Sequence, residues 1–201
     1  IIMSSSELDR SMLLFGHESD LADTSIWGSK GAGWRVAAEI GSALWESERR
    51  VSLSADAKFL GLAAGQAYAE REVAALLGVH SNNITLVDRR FEPLVLERFN
   101  KEHFDAQIVK SGLFTYLNKP TQTNPDKFDL VTILGIEYVL ADEVRMRALI
   151  SHLPNVTAPG GFVCIFPYFG KSLANLWRHH GFKEISGYKG PASLLLYRFI
   201  V

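Results

Sequence analysis

The sequence has few of the residues that mark several classes of protein. Its 201 residues include one cysteine, Cys164, in the apolar run FVCIF. A single cysteine excludes an intrachain disulfide and a thiolate zinc cage, and we expect it to be a small buried core residue. No apolar run approaches the about 20 residues that a membrane-spanning helix needs. No basic segment followed by an apolar core indicates secretion, so we expect a cytoplasmic location.

The chain also has a net charge close to zero, and its histidines are not spaced as metal ligands. Lysine and arginine number 21 and aspartate and glutamate 22, which gives a net charge of −1. This balance provides no electrostatic argument for a nucleic-acid or membrane partner. Of the six histidines, only His179 and His180 adjoin. Adjacent residues on a helix diverge, so we expect no metal site.

What the sequence does contain is an alternation of apolar runs and helical patterns. The predicted strands are 59–62, 84–87, 106–109, 128–134, 162–166, 182–186 and 194–201. The predicted helices between them are 68–77, 93–100, 142–153 and 172–180. Such alternation predicts a mostly parallel sheet that is covered on both faces. The last two strands have a link too short for a parallel crossover, so they should be antiparallel.

Residues 1–50 are predicted to form a helical cap or substrate segment, and residues 51–201 the main domain. Within the first segment, helical patterns at 4–15 and 34–50 flank a glycine-rich stretch. Trp27 and Trp34 adjoin that stretch. Aromatic residues beside flexible glycines suit a lid over a substrate, and they equally suit anchors that hold the segment to the sheet.

The stretch FLGLAAGQAY, at 59–68, has the form of a strand entering a ligand-binding turn. The dinucleotide pattern G-x-G-x-x-G matches it only at Gly65, and the phosphate loop's lysine is absent. A looser G-x-G-x-G pattern places small residues at Ala63, Gly65 and Ala67. Such a turn admits an adenosyl group with an amino-acid tail. Asp88 ends the next strand, where it could accept the hydroxyls of a ribose or could simply cap the following helix.

In order and spacing, these motifs resemble the class I S-adenosylmethionine-dependent methyltransferase family. The resemblance runs from about residue 34 to residue 201 and includes KFDLVTILGIEYVL, APGGFVCIF, FKEISGYKG and ASLLLYRFIV. It implies a three-layer α/β Rossmann-like fold, a seven-stranded mostly parallel sheet with an antiparallel C-terminal pair, and S-adenosylmethionine as cofactor. The cofactor-binding residues that it implies are Ala63, Ala64, Gly65, Gln66, Ala67, Asp88, Arg89, Ser111, Gly112, Leu113 and Gly135.

The chain departs from the family pattern at three places. Gly61 stands where the family has an acid that holds the methionine amino group. Alanines replace the first and third loop glycines. After strand three, Ser111-Gly112-Leu113 replaces an acid that often meets the adenine amine. The departures are compatible with weaker cofactor binding or with a fold that has lost the reaction.

Methyl transfer is an in-line displacement in which a protein aligns the reacting atoms and deprotonates the acceptor where needed. Glu137 and Tyr138 follow strand four and are the predicted catalytic residues, with Glu137 as base or hydrogen-bond partner of the substrate. An ion-paired structural acid is the alternative for Glu137. Tyr138 and Tyr168 could line the pocket or pack in the core.

Three classes of function fit the sequence. The first, which we predict, is a methyltransferase that acts on a small molecule. The others are a methyltransferase of RNA or protein, and a non-catalytic binding protein with the same fold. The near-zero net charge counts against RNA. The sequence predicts neither the methyl acceptor nor the oligomeric state.

Overall fold

The computed structural model describes residues 3–13, 38, 41–42, 53–65, 67–89, 93–119, 127–134, 142–168, 170–186 and 193–200. The predicted helix at 34–50 lies largely outside these residues. Trp27, Trp34 and the division between segments at residue 50 lie wholly outside them.

The described chain alternates strands and helices after one N-terminal helix. The strands are β1 Phe59–Leu62, β2 Ile84–Asp88, β3 Gln107–Lys110, β4 Phe128–Leu134, β5 Thr157–Tyr168, β6 Phe182–Ser186 and β7 Ser193–Phe199. The helices are α1 Ser5–Leu13, α2 Tyr68–Leu77, α3 Pro93–Lys101, α4 Leu113–Leu117, α5 Glu143–His152 and α6 Ala174–His179. Short 3₁₀ turns occur at Ser81–Asn83 and Leu153–Asn155.

The seven strands form one sheet in the order β3-β2-β1-β4-β5-β7-β6. Strands β1 to β5 are parallel, whereas β7 runs antiparallel to both β5 and β6. The predicted fold class and the antiparallel final pair are therefore confirmed. Because the chain first adds strands on one side of β1 and then returns to the other, strand order reverses between β1 and β4. Ligands of open α/β sheets bind beyond the carboxyl ends of the strands at such a point.

Apolar side chains cover both faces of the sheet. On one face α1, α4, α5 and α6 pack over alternate strand residues such as Leu60 and Val131. There Trp177 stacks on Tyr197 with ring centroids 4.1 Å apart. On the other face α2 and α3 cover Phe59, Leu130 and their neighbours. Cys164 lies on this second face, fully buried, as the sequence predicts.

Two helix boundaries follow the predicted physical rules. Asp142 precedes α5, and its carboxylate accepts a hydrogen bond from the Arg145 amide at 3.1 Å. Gly78 ends α2 with a left-handed φ of 73°, a conformation that glycine adopts without steric cost. The Pro159-Gly160-Gly161 turn is different, since β5 already begins at Thr157 and runs through it with an irregular register against β4.

Candidate functional site

The turn between β1 and α2 has an unusual backbone. Ala63, Gly65 and Ala67 all have positive φ, at 55°, 53° and 53°. This conformation is open to glycine but costs an L-residue about 1–2 kcal/mol. The Ala64 amide donates to the Val87 carbonyl at 3.1 Å, and the Ala67 amide donates to the Ala64 carbonyl at 2.7 Å. The surrounding hydrogen bonds thus hold two alanines in a shape that glycine would adopt more easily.

Replacing Ala63 with glycine should therefore not destabilise the protein. Ala63 is partly exposed, so Ala63→Gly removes the left-handed strain with little loss of buried surface. The greater backbone freedom of glycine offsets about 0.5–1 kcal/mol of that gain. We expect the free energy of unfolding to rise by up to about 1 kcal/mol in urea titrations.

Ala64→Gly is the matched control for that prediction. The Ala64 side chain is buried and its φ is not positive. The substitution removes a buried methyl group and relieves no strain, so it should lower the free energy of unfolding by about 1 kcal/mol. If Ala63→Gly and Ala64→Gly lowered the free energy of unfolding equally, that result would contradict backbone strain at Ala63.

Asp88 ties this turn to the end of β2. Its Oδ2 accepts a hydrogen bond from the Gly65 amide at 2.8 Å. Both residues are partly exposed at the carboxyl edge of the sheet. Among the described residues, no atom lies within 4 Å of a Cβ added to Gly65, so none of them fills the space beside the turn. The predicted loop and the predicted ribose acid therefore form one hydrogen-bonded unit beside open space, an arrangement that can admit a nucleoside.

The end of β3 adjoins the same edge, and α1 packs against helix α4, which follows it. The Ser111 amide donates to the Asp88 carbonyl at 3.0 Å, which brings the 111–113 segment beside the turn. The buried Asp9 carboxylate accepts from the amides of Phe114 and Thr115, both at 2.8 Å, and from the Thr115 hydroxyl at 2.5 Å. The Arg89 guanidinium donates to the Asp9 carbonyl at 3.1 Å.

This docking explains why residue 112 is a glycine. A Cβ on Gly112 would collide with the Asp9 carboxylate. Neither Asp9 nor helix α4 is predicted from the sequence. No local pattern could have indicated the contact, because Asp9 and Phe114 lie 105 positions apart.

Glu70 is a second residue whose position the sequence analysis did not recognise. It lies in the first turn of α2, where acidic residues are common because a negative charge interacts favourably with the helix dipole. Its side chain is 2% exposed and packs against β1, where its Cγ lies 2.7 Å from the position of a Cβ on Gly61. Burial, with a smaller contribution from nearby Asp88, raises the pKa of Glu70 to about 8. A glycine inside a buried strand was the available signal, since it often marks a close approach by another group.

The remaining predicted residues divide into two groups. Gln66, Gly135, Glu137 and Tyr138 lie outside the described residues. Tyr168 is buried, and its hydroxyl donates to the Lys171 carbonyl at 2.8 Å, so it packs in the core and does not line an open pocket. Within the described ranges, no three His, Cys, Asp or Glu side chains group as metal ligands. No described helix is long and apolar enough to span a membrane.

Comparison of the structure with solved structures establishes the fold. The 1,6-didemethyltoxoflavin-N1-methyltransferase of Burkholderia thailandensis, solved with its substrate and S-adenosylhomocysteine, matches with a TM-score of 0.59 and 14% identity, over 98% of this chain and 89% of that one. A ribosomal-protein methylase from Lactobacillus delbrueckii subsp. bulgaricus matches with a TM-score of 0.56 and 16% identity, over 79% and 77%. The chain has a methyltransferase fold.

A third match has a different acceptor. A glycopeptide N-methyltransferase in complex with S-adenosyl-L-methionine matches with a TM-score of 0.55 and 15% identity, over 84% of this chain and 94% of that one. No family model and no curated protein matches the sequence. The acceptors named for these three proteins are a small molecule, a glycopeptide and a ribosomal protein, so this methyltransferase fold does not by itself define a substrate.

Proposed function

We propose that the protein is an S-adenosylmethionine-dependent methyltransferase that acts on a small molecule. The observation that carries the proposal is the hydrogen bond between the Gly65 amide and Asp88 Oδ2, at 2.8 Å. It joins a turn of small residues to an acid at the carboxyl edge of the sheet, at the point where strand order reverses. Open α/β sheets bind ligands at such an edge, and the absence of any described atom within 4 Å of a Cβ on Gly65 supports the assignment of a nucleoside with an amino-acid tail to this place.

Each part of this edge has a distinct role in the proposal. The Asp88 carboxylate accepts ribose hydroxyls while it holds the turn, since a carboxylate has about four acceptor sites. Backbone groups of Ser111, Gly112 and Leu113 meet the adenine, with Arg89 beside them. Ala63, Ala64, Gln66, Ala67 and Gly135 form the remaining wall. S-adenosylmethionine, when bound, supplies a methyl group that is activated by its positively charged sulfur.

The proposed catalytic residues are Glu137 and Tyr138, which follow β4. Glu137 would accept a proton from the methyl acceptor or hold it by a hydrogen bond, and Tyr138 would orient it. Alignment of the reacting atoms supplies most of the rate in such a displacement. A small-molecule acceptor is supported by the match to the didemethyltoxoflavin enzyme, which extends over 98% of this chain.

A transfer experiment tests the proposed substrate class. The protein is incubated with S-adenosylmethionine that carries a labelled methyl group and with a cell extract, which is then divided by ultrafiltration. We expect the label in the small-molecule filtrate, and less of it there with the Asp88→Ala variant at a limiting concentration of S-adenosylmethionine. Label that is retained with protein or RNA would contradict the small-molecule proposal. No transfer to any fraction, despite cofactor binding, would contradict the catalytic one.

Asp88→Ala should weaken binding of S-adenosylhomocysteine by about 1–3 kcal/mol, the usual range for a lost hydrogen-bond partner that carries charge. The variant loses the ribose acceptor and also releases the Gly65 amide. Calorimetric titration measures the change. Asp88→Asn is the matched control, because its side-chain oxygen can still accept from the Gly65 amide but its amide group cannot accept a second hydroxyl. Unchanged affinity in folded Asp88→Ala protein would assign Asp88 a structural role.

A further inference from the structure

Strand β1 has a gap in its side chains directly below the cofactor turn. Gly61 lies on the face of the sheet that α2 covers, and it pairs with Leu86 of β2 and Thr132 of β4. The gap is filled from the helix, because Glu70 Cγ lies 2.7 Å from where a Cβ on Gly61 would stand. The Glu70 side chain and Leu86, whose Cδ2 lies 2.9 Å from the same position, therefore share the volume that a side chain of β1 would otherwise take.

A second polar group lies at the same place without a partner. Thr132 is fully buried, and its hydroxyl makes no hydrogen bond within the part of the chain that the structure describes. Because register partners in a parallel pair point to the same face, Thr132 lies beside Gly61 and toward α2. Buried polar groups are rarely left unsatisfied in native proteins, so each such group requires an explanation, and a ligand provides one.

We propose that Glu70 provides, from helix α2, the carboxylate that receives the ammonium group of the cofactor's amino-acid tail, above the gap at Gly61. The inference rests on the proposed function, since it takes S-adenosylmethionine or its demethylated product as the ligand. A buried carboxylate is stable when a cation pairs with it, and a ligand ammonium is such a cation. Thr132 is available to the same ligand group as a hydrogen-bond acceptor.

The proton on Glu70 provides a signature of this pairing. Burial raises the pKa of Glu70 to about 8, so the free protein holds this carboxyl largely protonated at neutral pH. An ammonium beside it favours the ionised form, and the proton then leaves to the buffer. Of the elements packed against Glu70, β1 carries no titratable residue and β2 contributes Asp88. The acid of neighbouring β4, Asp129, lies at the opposite end, where it accepts from the Lys58 amide.

Two ligands isolate the ammonium contact. S-adenosylhomocysteine carries the amino-acid tail, whereas methylthioadenosine has the same nucleoside and no tail. Titration of the full chain at pH 7 in buffers of different ionisation enthalpy measures affinity and proton release together. We expect Glu70→Gln to weaken binding of S-adenosylhomocysteine by about tenfold to a hundredfold and to abolish its proton release. Affinity for methylthioadenosine should not change.

Two further variants act as controls. Glu72→Gln makes the same substitution on the same helix, about 200° around its axis, and should affect neither ligand. Gly61→Asp with Glu70→Ala moves the carboxylate from the helix to the strand, into the volume that the Glu70 Cγ vacates, and the Leu86 side chain, whose Cδ2 lies 2.9 Å from the new Cβ, must shift slightly. This double variant should bind S-adenosylhomocysteine more tightly than Glu70→Ala alone.

The outcomes separate this inference from the proposed function. If Glu70→Gln binds S-adenosylhomocysteine with the affinity and the proton release of the wild-type protein, the proposed role of Glu70 is overturned. The proposed function would not be affected by that result. Equal losses for both ligands would also overturn it, because they indicate a structural effect on the turn. Failure of the wild-type protein to bind either ligand would overturn both proposals.

Discussion

Gly65→Val should abolish binding of S-adenosylhomocysteine in a protein that still folds. A β-branched residue at a φ of 53° is a genuine conformational outlier, so the turn loses stability or changes shape. The new side chain would also occupy space where no atom of the described residues lies within 4 Å, which is where we place the ligand. We expect a loss of at least about a hundredfold in affinity, equivalent to about 2.8 kcal/mol, by calorimetry.

Gly78→Val is the matched control for this effect. Gly78 also has a positive φ, 73°, and open space around its Cβ position, but it lies at the far end of α2. That distance is about 15 Å along a ten-residue helix. The control should lose stability through the same backbone strain and keep its affinity. A loss of affinity in both variants would show that strain alone, and not ligand contact, explains the Gly65 result.

Glu70→Gln should make the ligand-free protein more stable than wild type at pH 8, with little difference at pH 4. Burial raises the pKa of Glu70 to about 8 from its ordinary 4.5. Below 4.5 the carboxyl is protonated in both the folded and unfolded states. As pH rises toward 8, the unfolded chain ionises freely while the folded protein cannot, so stability is lost across this window. Glutamine resembles the protonated carboxyl and escapes this loss.

The expected size of that effect is a few kcal/mol, at about 1.4 kcal/mol for each unit of pKa change. Urea unfolding at pH 4, 6 and 8 measures it. Glu97→Gln, at an exposed position of α3, reports the effect of removing one surface charge. A stability difference between Glu70→Gln and wild type that does not vary with pH would contradict a protonated buried carboxyl.

Most of the fold could be predicted from periodicity and turn chemistry. Strand β4 is a run of seven mostly apolar residues, and its bounds agree with the prediction at 128–134. Gly78 and Asp142 define helix ends by rules that depend only on neighbouring residues. The antiparallel β6–β7 pair followed from the length of its link. These features are local, so a single sequence contains the information that they require.

The contacts within the candidate site were harder to predict from the sequence. The link from Asp88 to Gly65 spans 23 positions and could be anticipated only through the family resemblance. Asp9 caps a five-residue helix more than 100 positions away, and nothing in either segment indicates the other. In the sequence Glu70 cannot be told from an ordinary first-turn acid, because its burial depends on the missing side chain at Gly61.

The pairing of the 63–67 turn with Asp88 as a methyl-donor site is the central claim, and calorimetric titration of the wild-type protein tests it most directly. S-adenosylhomocysteine and NAD are titrated separately, and thermal unfolding is recorded with each, since a ligand that binds only the folded state raises the melting temperature. We expect saturable binding and a higher melting temperature with S-adenosylhomocysteine, and neither with NAD. Binding of NAD without binding of S-adenosylhomocysteine would contradict the claim.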